Sequence, residues 1–270
     1  MSLTRRGAMG SGLALLAAPA AAQGARDAAP PASDVDAWSR YEARLRARLE
    51  DAGGGRYDEA GAAALTEMTN AERARSGARP LSWHAELARA ARAHAADLAE
   101  RAYLEHLAPE GFDPSHRFWL LGRTTIGSPS ENIAYHRGSG PPVTPTQLLE
   151  LWRSSPGHWR NLLRPSHTHV GYGLIRRADR SWLVGLYAQP VAALAEPLPF
   201  RADAAQVARA LASLDGQLRP RIAIPQGSRI GLAGAAPPVM QITALRRAEV
   251  GRFDVIGGPI FQAAEARARA

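Results

Sequence analysis

Two histidines and a glutamate, His106, Glu131 and His158, stand in short, turn-rich settings spread across one helix-dominated stretch of the chain. Two imidazoles and one carboxylate suffice to hold zinc with a water in the fourth position. The same groups can exchange protons near neutral pH. His106 follows a helical pattern in Tyr103-Leu104-Glu105-His106-Leu107-Ala108-Pro109, Glu131 opens Glu131-Asn132-Ile133-Ala134-Tyr135, and His158 sits in Ser155-Pro156-Gly157-His158-Trp159. Polar groups delivered by separate loops can converge on one cleft when a rigid scaffold carries the loops.

The local setting says most about His158. Ser155 at the cap and Pro156 at the first helical position place it in the first turn of a helix. The free amides and positive dipole end there disfavour an imidazolium, so His158 is expected to titrate below the free value of about 6.5. Glu131 has two readings. Its carboxylate either points into a pocket while the next apolar residue turns to the core, or hydrogen-bonds the backbone amides at the start of the Pro156 helix.

Other chemistry finds no template. There is no His-Glu-x-x-His helix, no Gly-x-Ser-x-Gly elbow and no phosphate-binding glycine loop. His167-Thr168-His169 places two imidazoles on one face and is read as incidental. His94 recurs with Leu87, Ala91 and Leu98 at helical spacing, which makes it a hydrogen-bonded core histidine. His116, with no partner visible in the sequence, is read as a surface residue.

The elements that must position these groups are mostly helices. Asp34 or Asp36 caps a helix whose Trp38, Tyr41, Leu45 and Leu49 form one apolar stripe, closed by Gly53-Gly54-Gly55. A second helix spans residues 59–75 with Leu65, Met68 and Ala71 facing inward, and Ser82 caps a third that runs to about residue 103. Thr144-Pro145-Thr146-Gln147 is a capping box that makes residues 148–152 helical. After Pro165 the period changes to two, with Val170, Tyr172, Leu174 and Trp182, Val184, Leu186 flanking an Ala178-Asp179-Arg180 turn, an antiparallel hairpin. Beyond Val191 come a short helix near residues 204–214 and strand-like runs at residues 221–224, 239–245 and 252–256. They read as a small β-rich cap packed on the main domain.

Composition bounds the partners. The 270 residues carry a formal charge of +8, with all 33 basic residues arginine and no cysteine at all. The arginines are scattered, with short pairs such as Arg176-Arg177 and Arg246-Arg247, so no specific nucleic-acid partner is expected. The basic surface still attracts anionic polymers such as cell-wall material. Thiol chemistry and disulfide staples are excluded. Residues 1–22 resemble an export signal, with Arg5-Arg6, an apolar run over residues 12–18 and Ala20-Ala21-Ala22 before Gln23. Thr4-Arg5-Arg6 is similar to the twin-arginine class. No later stretch is long and apolar enough to span a membrane, so the mature protein is expected to be periplasmic or extracellular.

Residues 65 to 189 resemble the CAP superfamily (cysteine-rich secretory, antigen 5 and pathogenesis-related proteins) in its bacterial SCP-like branch. The resemblance rests on an ordered set: Asn70-x-x-Arg73, Pro80-Leu81-x-Trp83, Ala90-x-x-x-His94-Ala95-x-Asp97, His106 with Pro109-x-Gly111, Glu131-Asn132-Ile133-Ala134, Trp152-x-x-Ser155-Pro156-Gly157-His158-x-x-Asn161-Leu162-Leu163, and Val170-Gly171-x-Gly173. It implies an α+β fold, a three-layer α-β-α sandwich with a central antiparallel sheet, and a cleft that holds His106, Glu131 and His158. The family's second glutamate is missing: the positions after Trp152 reach Ser154-Ser155.

The expected organisation is a signal at residues 1–22, a linker and amphipathic helix at 23–58, the SCP-like domain at 59–190 and a β-rich extension at 191–270. The function implied is binding of a small molecule, lipid or cell-envelope component in the cleft, with a divalent metal such as zinc held by His106, His158 and Glu131. One alternative is a metal-assisted hydrolase of peptide or cell-wall bonds, with Glu131 and His158 as the catalytic groups. The other is a non-catalytic domain whose His/Glu set braces the loops.

Overall fold

The computed structural model describes residues 29–214, 218–228, 238–249 and 252–264. The export signal expected at residues 1–22 lies outside the described residues. Helix α1 (Val35–Asp51) begins where Asp34 Oδ1 accepts from the Ala37 amide at 3.1 Å, and it buries Trp38, Tyr41 and Leu45. Strand β1 (Arg56–Tyr57) leads into α2 (Glu59–Arg75), which spans the expected residues. Its inward positions differ from expectation: Leu65, Thr69, Glu72 and Arg73 are buried, whereas Ala71 is exposed. Arg73 turns inward because its guanidinium caps carbonyls of Arg79, Leu162 and His167, a role its charge does not advertise.

Ser82 does not cap the next helix. It lies in strand β2 (Ser82–Trp83), and α3 (Ala85–Arg101) is capped by His84, whose ring accepts from the Leu87 amide at 3.4 Å. Helix α3 presents a nearly all-alanine face, which lets a strand approach its backbone directly. A Cβ at Gly171 would stand 2.1 Å from the Ala88 nitrogen, and one at Gly173 2.4 Å from that of Arg92. Those two glycines of β5 (His169–Arg177) are therefore required by the contact itself.

Helix α4 (Pro114–Leu121), the short strand β3 (Thr125–Ile126), β4 (Ser130–Arg137), α5 (Pro145–Arg153) and α6 (Pro156–Leu163) precede β5, and β6 (Arg180–Ala188) returns antiparallel to it. The capping box of Thr144 and Gln147 starts α5 as expected. The central sheet runs β1-β5-β6-β4, antiparallel throughout, with β2 joined parallel to β5. On one face Ile133, Ile175, Val184 and Leu186 pack with α1, α3 and α4; on the other Val170, Tyr172, Leu174, Leu183 and Tyr187 pack with Leu65 of α2, Leu148 and Trp152 of α5 and Leu162 of α6. This α-β-α layering is the architecture expected, with both sheet faces covered.

The extension is β-rich. Strands β7 (Ala192–Ala193), β8 (Arg201–Ala202), helix α7 (Ala204–Leu211), β9 (Arg219–Ala223), β10 (Val239–Glu249) and β11 (Arg252–Ala263) follow, and the second sheet runs β8-β11-β10-β9. It is fused to the main domain through α4. Val239 and Ile260 join the core around Trp119, the Gly127 amide donates to Gly257 O at 2.8 Å, and buried Arg123 donates to Ile260 O at 2.9 Å. The same packing overturns one expectation. His116 is buried, not on the surface: it completes a capping box with Asp113, and its Nε2 lies 2.7 Å from Gln226 O of the extension.

Candidate functional site

His106, Glu131 and His158 line one shallow depression of about 380 Å³, together with Ser130, Asn132, Gly157 and Asn161. Each arrives on a different element. His106 sits in the loop after α3, Glu131 is the second residue of β4, and His158 lies in the first turn of α6. The triad is not a symmetric three-group cluster. His106 Nδ1 is 2.8 Å from Glu131 Oε1 while its side chain is 53% exposed, so the opposite nitrogen is available to solvent; Glu131 is only 2% exposed.

Glu131 is held from below by an arginine. Arg117 of α4, fully buried, reaches Oε2 at 2.9 Å and Oε1 at 3.1 Å, and also donates to His106 O at 2.7 Å and Phe112 O at 3.1 Å. Burial pushes the Glu131 carboxyl up, but the Arg117 guanidinium, aided by the hydrogen bond from His106, outweighs it and holds the group at about 2. His94 stands 3.8 Å from Oε1 with its Nε2 on Glu105 O at 3.2 Å, the core histidine expected. Burial and the Arg117 charge hold it down at about 3, so it is neutral at ordinary pH.

His158 is placed through its backbone. Asn132 Nδ2 donates to His158 O at 2.9 Å, Asn161 Nδ2 donates to Asn132 Oδ1 at 2.9 Å, and Ser130 Oγ donates to Asn161 Oδ1 at 2.8 Å. This ladder ties α6 to β4, and His167 extends it: its Nε2 lies 3.1 Å from Ser130 Oγ and its ring stacks on Tyr187. The His158 imidazole is held below its ordinary range, the expected direction, but by burial and the neighbouring charge of His106. Ser155 makes no capping hydrogen bond with its side chain. Nor, among the described residues, does Glu131 bond the amides at the start of α6; the link to that helix is made by Asn132.

A divalent metal does not fit these residues as they stand. Both oxygens of Glu131 face a buried guanidinium, which already neutralises the carboxylate and repels a cation. Among the described residues no group of three or more histidine and carboxylate side chains is disposed to hold a metal ion. Pairing with Arg117 also makes the Glu131 carboxylate a weaker proton acceptor than a free one.

Arg117 is the residue that sequence reasoning missed. Its signal was present but faint: a lone arginine ahead of Phe118-Trp119-Leu120-Leu121 in a helix too short and apolar to carry it outward. The paired asparagines Asn132 and Asn161 were visible as motif positions without a role. They are the ladder.

Residues 66–187 match the sequence model described as CAP, the Cysteine-rich secretory protein family. A Bacillus subtilis (strain 168) protein described as uncharacterized protein YkwD is 34% identical over 114 residues, 41% of this chain and 41% of that relative. The chain thus spans about two fifths of the relative's length. Among solved structures, an outer surface protein from Borrelia burgdorferi is 16% identical with a TM-score of 0.45, covering 50% of this chain and 98% of that one. An extracellular protein containing a SCP domain from Bacillus anthracis str. Ames is 23% identical with a TM-score of 0.41, covering 48% and 41%. With its ordered motifs, its layered α-β-α domain and the match over residues 66–187, this chain carries a domain of the CAP family.

Proposed function

We propose that this chain is an exported CAP-domain protein that binds a ligand or envelope component in the depression between His106 and His158. The observation that carries the reading is the His106–Glu131 contact of 2.8 Å over the buried Arg117. A carboxylate fixed on Nδ1 sets the ring's orientation and leaves Nε2 for a ligand. Such second-row support is what a binding site needs in order not to spend affinity on ordering its own side chains. His158, held below its ordinary range, adds a neutral imidazole beside it. The brace reading is absorbed rather than opposed: Glu131 and Arg117 tie the loop of His106 to β4 and α4, and the brace is what holds the binding group still.

Export is supported by the arginine-led apolar start of residues 1–22. Among the described residues no helix is long and apolar enough to cross a membrane. The test is native mass spectrometry of the full chain recovered from its own envelope fraction, alongside a His106→Ala/His158→Ala variant. A retained mass on the wild type that the variant lacks supports the reading. Equal retention by both, or none by either, overturns it.

A further inference from the structure

The extension walls a second hollow that meets the first at Ser130. This hollow, about 350 Å³, lies between Ser130, Arg164 and His167 of the CAP domain and Arg246, Asp254 and Ile256 of the second sheet. Ser130 lines both depressions. The junction is rigid, because its hydroxyl is engaged by Asn161 and His167. The chemistry changes across it. On one side stand the two imidazoles; on the other are the hydroxyls of Ser128 and Ser166, the amide of Gln189 and the Arg246–Asp254 pair at 3.2 Å.

Arg246 and Asp254 are 44% and 40% exposed, so their outer donors and acceptors face the hollow's solvent. Arg164 is exposed at the same wall, with no carboxylate within ion-pair distance among the described residues. One guanidinium charge is therefore left without a counter-ion. Hydroxyls, an amide and a guanidinium–carboxylate pair offer the alternating donors and acceptors that vicinal sugar hydroxyls require, and an unpaired arginine fits a carboxylate. Two shallow hollows that meet at Ser130 suit a strand held along its length better than a compact molecule, which a deeper pocket would enclose.

We propose that the two hollows form one groove that binds an acidic oligosaccharide strand, with the C-terminal extension supplying its second wall. The proposal rests on the ligand-binding reading of the His106/His158 cleft and names its ligand class. The test is calorimetric titration of the full chain with a short oligogalacturonate and with an uncharged cello-oligosaccharide of the same length, repeated on Arg164→Gln and on His158→Ala. The expected result is binding of the charged oligomer only, weakened roughly tenfold or more by Arg164→Gln, the loss a charge-assisted contact carries, and weakened also by His158→Ala. Loss in His158→Ala with Arg164→Gln unchanged overturns the groove while leaving the cleft reading intact. Loss in Arg164→Gln alone overturns the continuous groove and counts against the cleft. No binding of the charged oligomer, or equal binding of the neutral one, overturns the ligand class; retention of a mass by the wild type alone would still uphold the cleft.

Discussion

Replacing Arg117 by methionine keeps an unbranched apolar stem and removes the charged guanidinium beneath the cleft. The variant loses the bonds to His106 O and Phe112 O as well as both contacts to Glu131. It leaves a carboxyl that is 2% exposed with no guanidinium beside it. Burial, until then outweighed chiefly by Arg117, then raises the Glu131 carboxyl from about 2. Each unit of that rise is worth about 1.4 kcal/mol, and breaking buried pairs typically costs about 3–5 kcal/mol. Urea denaturation at pH 7 followed by circular dichroism should show that loss with an unchanged m-value. Arg117→Met/Glu131→Gln should regain most of it, because no orphaned charge remains. The pH dependence supplies an independent sign. In the wild type the depressed Glu131 carboxyl contributes stability that is lost as pH falls from 4.5 toward about 2, so the single variant, with that depression relieved, should lose less than wild type over the same range. A loss under about 1 kcal/mol, or a double variant no better than the single, would refute the reasoning.

In the wild type His94 adds a second acid dependence at higher pH. His94 is neutral in the fold, at about 3 against 6.5 when free, so its contribution is present above 6.5 and is lost as pH falls toward 3. On the order of 2 kcal/mol should disappear by pH 5, and a wild-type urea midpoint that does not fall from pH 7 to pH 5 would contradict this. Below about pH 4.5 the Glu131 carboxylate adds a further loss as it approaches about 2. Gly171→Ala, whose Cβ would stand 2.1 Å from a backbone nitrogen of α3, should cost about 1–3 kcal/mol or more by overpacking, read as a thermal midpoint; a near-neutral result would mean that the strand can withdraw. Asn132→Ala should cost about 1–3 kcal/mol and release α6, seen as faster amide exchange in the last turn of α6, at Leu162, than in the wild type. Unchanged exchange would show that the ladder does not hold that helix.

Much of the fold was legible because it is local. The ends of α2, the capping box of α5 and the hairpin of β5 and β6 follow from caps, period and turn residues within a few positions of one another. The site was half legible: His106, Glu131 and His158 do share one depression, but their chemistry is set by a residue that no local pattern identified. Arg117 lies 14 positions from Glu131 and on another element, so only packing brings the two together. His116 failed for the same reason, since what buries it includes Gln226, 110 positions later. Ser82 and His84 show a subtler failure: two residues with capping ability stood close together, and the parallel pairing of Ser82 with His169 decided between them.

The most direct test of the cleft is the carboxyl titration of Glu131, followed by carbon resonance from pH 7 downward with and without one equivalent of zinc. A single transition at about 2, unmoved by the metal, is the predicted result for a carboxylate committed to Arg117 and His106. A transition near neutral pH, or a resonance that shifts with stoichiometric zinc, would contradict it and return Glu131 to the roles of base or metal ligand.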